Sequence, residues 1–147
     1  MVIIDGRELK ERKLQEIKNN VEELDSTLGL AVVQVGDDEA SKVYIRQKEN
    51  AANSLGYTYI HKHFPVDVTQ EEVINEIELL NNNDCIDGII VQMPLPKHLN
   101  ESDIQNTIDP LKDVDGLTYV NAGKLVQNVP GLIPCTPKGI IDILDNY

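Results

Sequence analysis

Two hydrophobic rhythms alternate along the chain. Leu30–Val35 and Gly88–Val91 are apolar runs rich in β-branched residues, the pattern of strands buried on both faces. Tyr57–Phe64 alternates and is closed by Pro65, which predicts a third strand. Between these runs, apolar residues recur three and four positions apart, as on one face of a helix. Leu14, Ile17, Val21 and Leu24 predict the buried stripe of a first helix, capped by Asp5 after a short apolar lead-in at Val2–Ile4. A second helix is predicted from about Ser41 to Leu55, with Gly56 as its stop. A third carries Val73, Ile77 and Leu80 behind Thr69 and Glu72, which are spaced as a capping box; Asn81–Asp84 ends it. Glu101–Ile108 predicts a short helix capped by Asn100, Asp109–Gly116 a turn-rich loop, and Tyr119–Val126 another helix. Thr136 and Pro137 form an N-cap and N1 pair that opens a last helix.

Strands alternating with helices, in about three βα units, specify an α/β fold. The expectation is a three-layer α-β-α domain with a mainly parallel sheet, right-handed crossovers and Gly88–Val91 as its central strand. A chain of 147 residues fits one domain, and no internal repeat or low-complexity linker interrupts it. The apolar stretch Ile140–Leu144 has no closing element after it, which reads as a cut rather than a natural end.

Three stretches carry candidate chemistry. In Asp87–Lys97, D-G-I-I-V-Q-M-P-L-P-K, the strand ends in an amide, Gln92, and at once meets Pro94 and Pro96. Those prolines fix φ and push Met93 and Leu95 to extended geometry, giving a stiff apolar ledge at the strand's C-terminal end, where ligands of open α/β sheets bind. A plain Pro-rich exit loop fits the same residues. In Ser41–Lys48, S-K-V-Y-I-R-Q-K, Tyr44 and Lys48 stand four apart and share a helix face with Ala51, Ala52 and Leu55, which should look inward. A lysine there either snorkels to the rim or is desolvated, with a lowered pKa suited to proton transfer. In Asp113–Gly116, D-V-D-G reads as a turn or as a carboxylate presented to a ligand; a calcium loop is excluded, because its glycine would fall at Thr118. His61 and His63 share a strand face without an evident third metal ligand, and His98 follows the ledge as a rim residue.

Composition narrows the classes. Thirteen Lys and Arg against 25 Asp and Glu give a formal charge of −12, which repels phosphate backbones and anionic membrane surfaces, so neither nucleic acid nor membrane is expected as a partner. One Phe, five Tyr and no Trp leave the core to Ile, Val and Leu. Cys85 and Cys135 form neither a disulfide framework nor a zinc motif and read as free thiols of a reducing compartment. No signal peptide or transmembrane span is visible, and a cytoplasmic location is expected. Tyr44-x-x-x-Lys48 is also the catalytic spacing of short-chain dehydrogenases, but the glycine-rich dinucleotide loop these need near the start is missing. A doubly wound signalling domain, with Asp37 and Asp38 imitating a phosphoacceptor cluster, is a further alternative.

Four motifs then stand in a telling order: V-G-D-D-E-A-S-K-V-Y-I-R-Q-K, D-G-I-I-V-Q-M-P-L-P-K-H, K-D-V-D-G and P-C-T-P-K-G. They resemble, from about Asp5 to the last helix, the bifunctional methylenetetrahydrofolate dehydrogenase/methenyltetrahydrofolate cyclohydrolase family. The resemblance implies an enzyme of one-carbon metabolism. It oxidises 5,10-methylenetetrahydrofolate with NADP and hydrolyses the 5,10-methenyl product to 10-formyltetrahydrofolate. It further implies that Tyr44 stacks on the folate, Lys48 is the acid/base group, Gln92 hydrogen-bonds Lys48, and Asp115 binds the pterin. Ser41, Val91, Met93, Leu95 and Pro96 complete the substrate-binding set it implies. In that family a second, Rossmann domain binds NADP and the full-length enzyme is a homodimer. The sequence here contains no G-x-G-x-x-G. The chain therefore looks like the tetrahydrofolate-binding N-terminal half, residues 1–147, with the helix at about 136–147 leading towards the NADP domain. No cofactor or metal is expected in the chain itself; dehydrogenase activity is not expected of it alone, and cyclohydrolase activity is expected to be weak at best. A non-enzymatic folate-binding module is the alternative.

Overall fold

The computed structural model describes residues 4–147; Val2 and Ile3 of the apolar lead-in lie outside the described residues. The elements run α1 (Gly6–Glu22), β1 (Gly29–Val35), α2 (Glu39–Ser54), β2 (Thr58–Phe64), α3 (Gln70–Asn81), β3 (Gly88–Val91), α4 (Glu101–Thr107), α5 (Tyr119–Val126) and α6 (Cys135–Asn146). Three parallel strands, ordered β2-β1-β3, form the sheet, with helices on both faces. Among the described residues, no helix is long and apolar enough to cross a membrane.

Strand alternation sorts the core. Ala31, Val33, Val35, Ile89 and Val91 face α3 and α4 and pack with Val73, Ile77, Leu80, Ile104 and Ile108. Val32 and Ile90 point the other way, against Ile45 of α2. The register aligns Val33 with both Lys62 and Val91, so the three C-terminal strand ends form one rim.

The predicted centre of the sheet is corrected. β1 lies in the middle, and β3 stands next to it at the end of the ladder. Every residue of β3 is nonetheless buried, because residues 112–114 run along its outer side: Asp113 bridges Ile89, and Ile89 N donates to Lys112 O at 2.7 Å. Gly88 permits this approach, since a Cβ there would meet Val114 Cγ1 at 2.7 Å. The Lys112 ammonium ties the covering segment to the end of α3 through Leu80 O and Asn83 O. A covered edge strand needs the same apolar run as a central one, so the run could not tell them apart.

Local signals set the helix starts. Asp5, Asp38, Asn100 and Thr118 each accept N–H bonds as N-caps, and Thr69 and Glu72 close the capping box. After α2, Gly56 takes φ +77°, the left-handed conformation that glycine adopts freely at a helix stop. Two expectations differ. The stripe predicted to bury α1 is largely open: Ile17 and Leu24 are exposed and Leu9 is the buried residue. α6 starts at Cys135 with no side-chain cap, so Thr136 is already helical and Pro137 is its third residue, still within the first turn, where a missing N–H is harmless. Ile140, Ile141 and Leu144 of α6 are exposed as well.

Candidate active site

α2 leaves the C-terminal end of β1 and lies over the sheet. Its inward residues are Ser41, Ile45 and Ala52, with Lys48 half-buried between them, a four-three-four spacing. The expected inward face ran through Tyr44 instead. Tyr44 is 59% exposed, because Ile45 takes the place over Val32 and Ile90. The phenol ring therefore stands at the border of the buried stripe, open to a flat ligand.

The bond expected between α2 and the strand ledge is present. Lys48 Nζ donates to Gln92 Oε1 at 2.8 Å. Gln92 continues the ladder past β3, with its N–H on Val33 O, and its Nε2 donates to Met93 O at 2.8 Å. That second bond fixes the amide so that its oxygen faces the amine. Ser41 Oγ also donates to Met93 O, at 3.3 Å, which ties the first turn of α2 to the ledge. Of the ledge residues, Val91 and Leu95 are buried in the core, whereas Gln92, Met93 and Pro96 are half-buried at the rim.

Burial pushes the Lys48 ammonium below the ordinary lysine value, and the Asp115 carboxylate opposes that shift without cancelling it. Asp115 thus sits within electrostatic reach of Lys48. Beside it opens a hollow of about 300 Å³, lined by Asp115, Leu117, Pro134, Cys135, Thr136 and Pro137. Cys135 donates to Val114 O at 3.3 Å, and burial of its sulfur together with Asp115 pushes the thiol up, so it is held protonated.

The lysine has a testable linkage. Its folded pKa lies below the 10.5 of a free lysine, so between those values the unfolded chain binds more protons than the folded one and stability rises with pH. Relative to the parent, Lys48→Met should therefore be most favoured at neutral pH, with its advantage shrinking as pH approaches 10.5. Urea denaturation across that range checks the sign.

Sequence reasoning missed two polar groups. Gln34 is buried on the α2 face, aligned with His63, and uses both ends: Nε2 donates to Gly36 O at 2.8 Å and Oε1 meets His61 Nε2 at 3.0 Å. His63 Nε2 also reaches Gly36 O, so the stacked histidines, both on an exposed strand face, brace the turn into α2. Among the described residues no metal-holding group of three ligands occurs. His98 reaches Val68 O, as a rim residue can. The second missed group is Asp113, fully buried two positions before Asp115. Alternation does not flag Gln34, because a polar residue inside an apolar run reads as noise until its partners are seen, and Asp113 lies in a loop whose residues read as a turn.

A parallel α/β domain whose polar side chains converge at the C-terminal strand ends has the layout of a small-molecule enzyme domain. Over residues 4–115 the chain matches the tetrahydrofolate dehydrogenase/cyclohydrolase catalytic domain, and it belongs to that family. It is 49% identical over 145 residues to the bifunctional protein FolD of Ruthia magnifica subsp. Calyptogena magnifica, a match covering 99% of this chain and 52% of that protein. It superposes with a TM-score of 0.95 and 34% identity on the bifunctional FolD dehydrogenase/cyclohydrolase of Campylobacter jejuni, covering 100% of this chain and 54% of that one. The Trypanosoma brucei dehydrogenase-cyclohydrolase, solved with NADP cofactor and inhibitor, gives a TM-score of 0.94 at 31% identity, covering 99% and 51%. The chain spans about half the length of the curated relatives it matches.

Proposed function

We propose that this chain is the folate-holding catalytic half of a methylenetetrahydrofolate dehydrogenase/methenyltetrahydrofolate cyclohydrolase. The observation that carries the reading is the 2.8 Å bond from a desolvated Lys48 amine to the Gln92 amide at the sheet rim. Hydrolysis of 5,10-methenyltetrahydrofolate requires water to attack a cationic carbon between two nitrogens. As the new C–O bond forms, Lys48 in its neutral form accepts one proton of the water, and the remaining hydroxyl proton passes to N5 as the C–N5 bond breaks, leaving 10-formyltetrahydrofolate. The ammonium form, which the folded chain holds at neutral pH, would repel the substrate cation, and the downward push on the pKa suits the task by enlarging the neutral fraction. Gln92 accepts from the amine without adding charge. Tyr44 offers its exposed face to the flat pterin, and Asp115 offers a carboxylate to the pterin's N–H donors.

In the oxidative step a bound NADP would take up the hydride from the methylene carbon. The residues present do not fit that cofactor. The turn after β1 reads G-D-D-E, one glycine followed by three acids, where a dinucleotide site needs glycines and exposed N–H groups around a pyrophosphate. The turns after β2 and β3 contain no glycine at all. The chain's part in the oxidation is then to hold the folate, and we infer that it does not turn over as a dehydrogenase by itself. The full-length enzyme would be a homodimer acting in cytoplasmic one-carbon metabolism.

The test is direct. Tetrahydrofolate is titrated into the chain by calorimetry, and decay of the methenyl chromophore of 5,10-methenyltetrahydrofolate is followed with and without protein. Binding with accelerated decay is the expected result. Binding with no acceleration identifies a folate-binding module instead, and absence of binding rejects both readings.

A further inference from the structure

The loop that covers β3 contains a carboxylate for which the chemistry above has no use. Asp113 Oδ2 accepts from Thr118 N at 2.8 Å and Asn121 Nδ2 at 2.9 Å; Oδ1 accepts from Leu117 N at 3.2 Å and Gln105 Nε2 at 3.4 Å. Donors from α4, from the loop and from the start of α5 thus converge on one fully buried group. To aim their nitrogens at it, Gln105 and Asn121 leave their own amide oxygens buried without partners. Such orphans are unfavourable, so the arrangement favours a fixed loop geometry over the fullest set of hydrogen bonds. The backbone is held too: Asp113 bridges Ile89, and Gly116 N donates to Asp113 O at 2.9 Å.

This anchoring has a geometric result. Extended backbone alternates sides, so Asp113 facing α4 and α5 turns Val114 to the other face, where it packs with Val32, Ile45 and Ile90. Asp115 follows directly, inside the short turn whose two ends the Asp113 carboxylate ties together, and it emerges within reach of Lys48.

We propose that Asp113 is a positioning residue: its buried carboxylate sets the D-V-D-G turn so that Asp115 meets the pterin beside Lys48. The inference rests on the folate reading above. A purely structural anchor would weaken the fold without acting through Asp115 in particular, and a double-mutant cycle separates the two.

Tetrahydrofolate affinity is measured by calorimetry for the full chain and for Asp115→Asn, Asp113→Asn and the double variant, with circular dichroism confirming the fold. Asp115→Asn should weaken binding about tenfold or more, as loss of a charged hydrogen-bond partner does. Asp113→Asn should weaken it comparably, and the double variant should bind no more weakly than Asp115→Asn alone. Independent losses that multiply, or parent-like affinity in folded Asp113→Asn, overturn the proposal. Should Asp113→Asn not fold, Asn121→Ala takes its place in the cycle: it removes one donor and one orphaned oxygen while leaving the Leu117 and Thr118 bonds, and the same outcomes apply. If Asp115→Asn itself binds like the parent, the role given to Asp115 fails and this proposal with it, a result distinct from absence of tetrahydrofolate binding to the parent chain, which would reject the folate reading.

Discussion

Lys48→Met should lose about 10²–10⁴-fold in the hydrolysis of 5,10-methenyltetrahydrofolate, the range that a positioned proton acceptor contributes. Methionine keeps the unbranched, flexible stem and its packing along α2 but removes the amine, so no group remains at Gln92 to take the water's proton. Tyr44 and Asp115 are untouched, so the loss should fall on kcat while KM stays nearly constant. The same substitution removes a desolvated cation and should not destabilise the fold at neutral pH. Impaired catalysis with retained stability is the signature of a functional lysine, and it is read from initial rates together with urea curves on one preparation. Parent-like kcat in the variant would falsify the role assigned to Lys48.

Gly29→Ala should be the most damaging small substitution in the domain. A Cβ at residue 29 would lie 1.9 Å from Cys85 O, a backbone atom that no side-chain rotation can move aside. The surroundings give little freedom. Gly29 N donates to the Asp87 carboxylate and Gly29 O accepts from Asp87 N, both at 2.8 Å, so the start of β1 is locked to the segment that feeds β3. Relief requires separating the two strands at their N-terminal ends. The expected cost is about 3 kcal/mol or more, the upper range for overpacking, corresponding to a Tm lower by roughly 6–12 °C for a domain of this size. Calorimetric melting of the single variant checks it, and a fall of a degree or two would mean the strands separate more easily than the geometry implies.

Much of the domain was legible in the sequence because short-range chemistry fixed it. Asp5, Thr69 and Asn100 announced their helices, and two apolar runs with one alternating stretch announced three strands. The family resemblance paired Lys48 with Gln92 before any coordinates, and the topology agrees, since a helix following β1 and a residue ending β3 meet at the same rim. What stayed hidden depended on coverage. Periodicity shows that Ile17 and Leu24 share a face but not whether anything lies on it, and both are exposed. The run Gly88–Val91 could not reveal that residues 112–114, which carry no strand pattern, would cover it. Tyr44 was misplaced by a single step, because two helical stripes pass through Lys48 and only the packing of Ile45 chooses between them. Gln34 and Asp113 were invisible for a different reason: their partners lie on other elements, which no local window contains.

The segment pinned along β3 also limits how the molecule can aggregate. With that margin occupied and β1 enclosed by its neighbours, β2 has the free ladder margin of the described sheet, and Lys62 in its middle discourages a newcomer. A sheet with one available side can join a second copy margin to margin, but the pair then offers no further template. Cross-β growth from the native state should therefore halt at two molecules, and fibres would require the Lys112 tether to be released first.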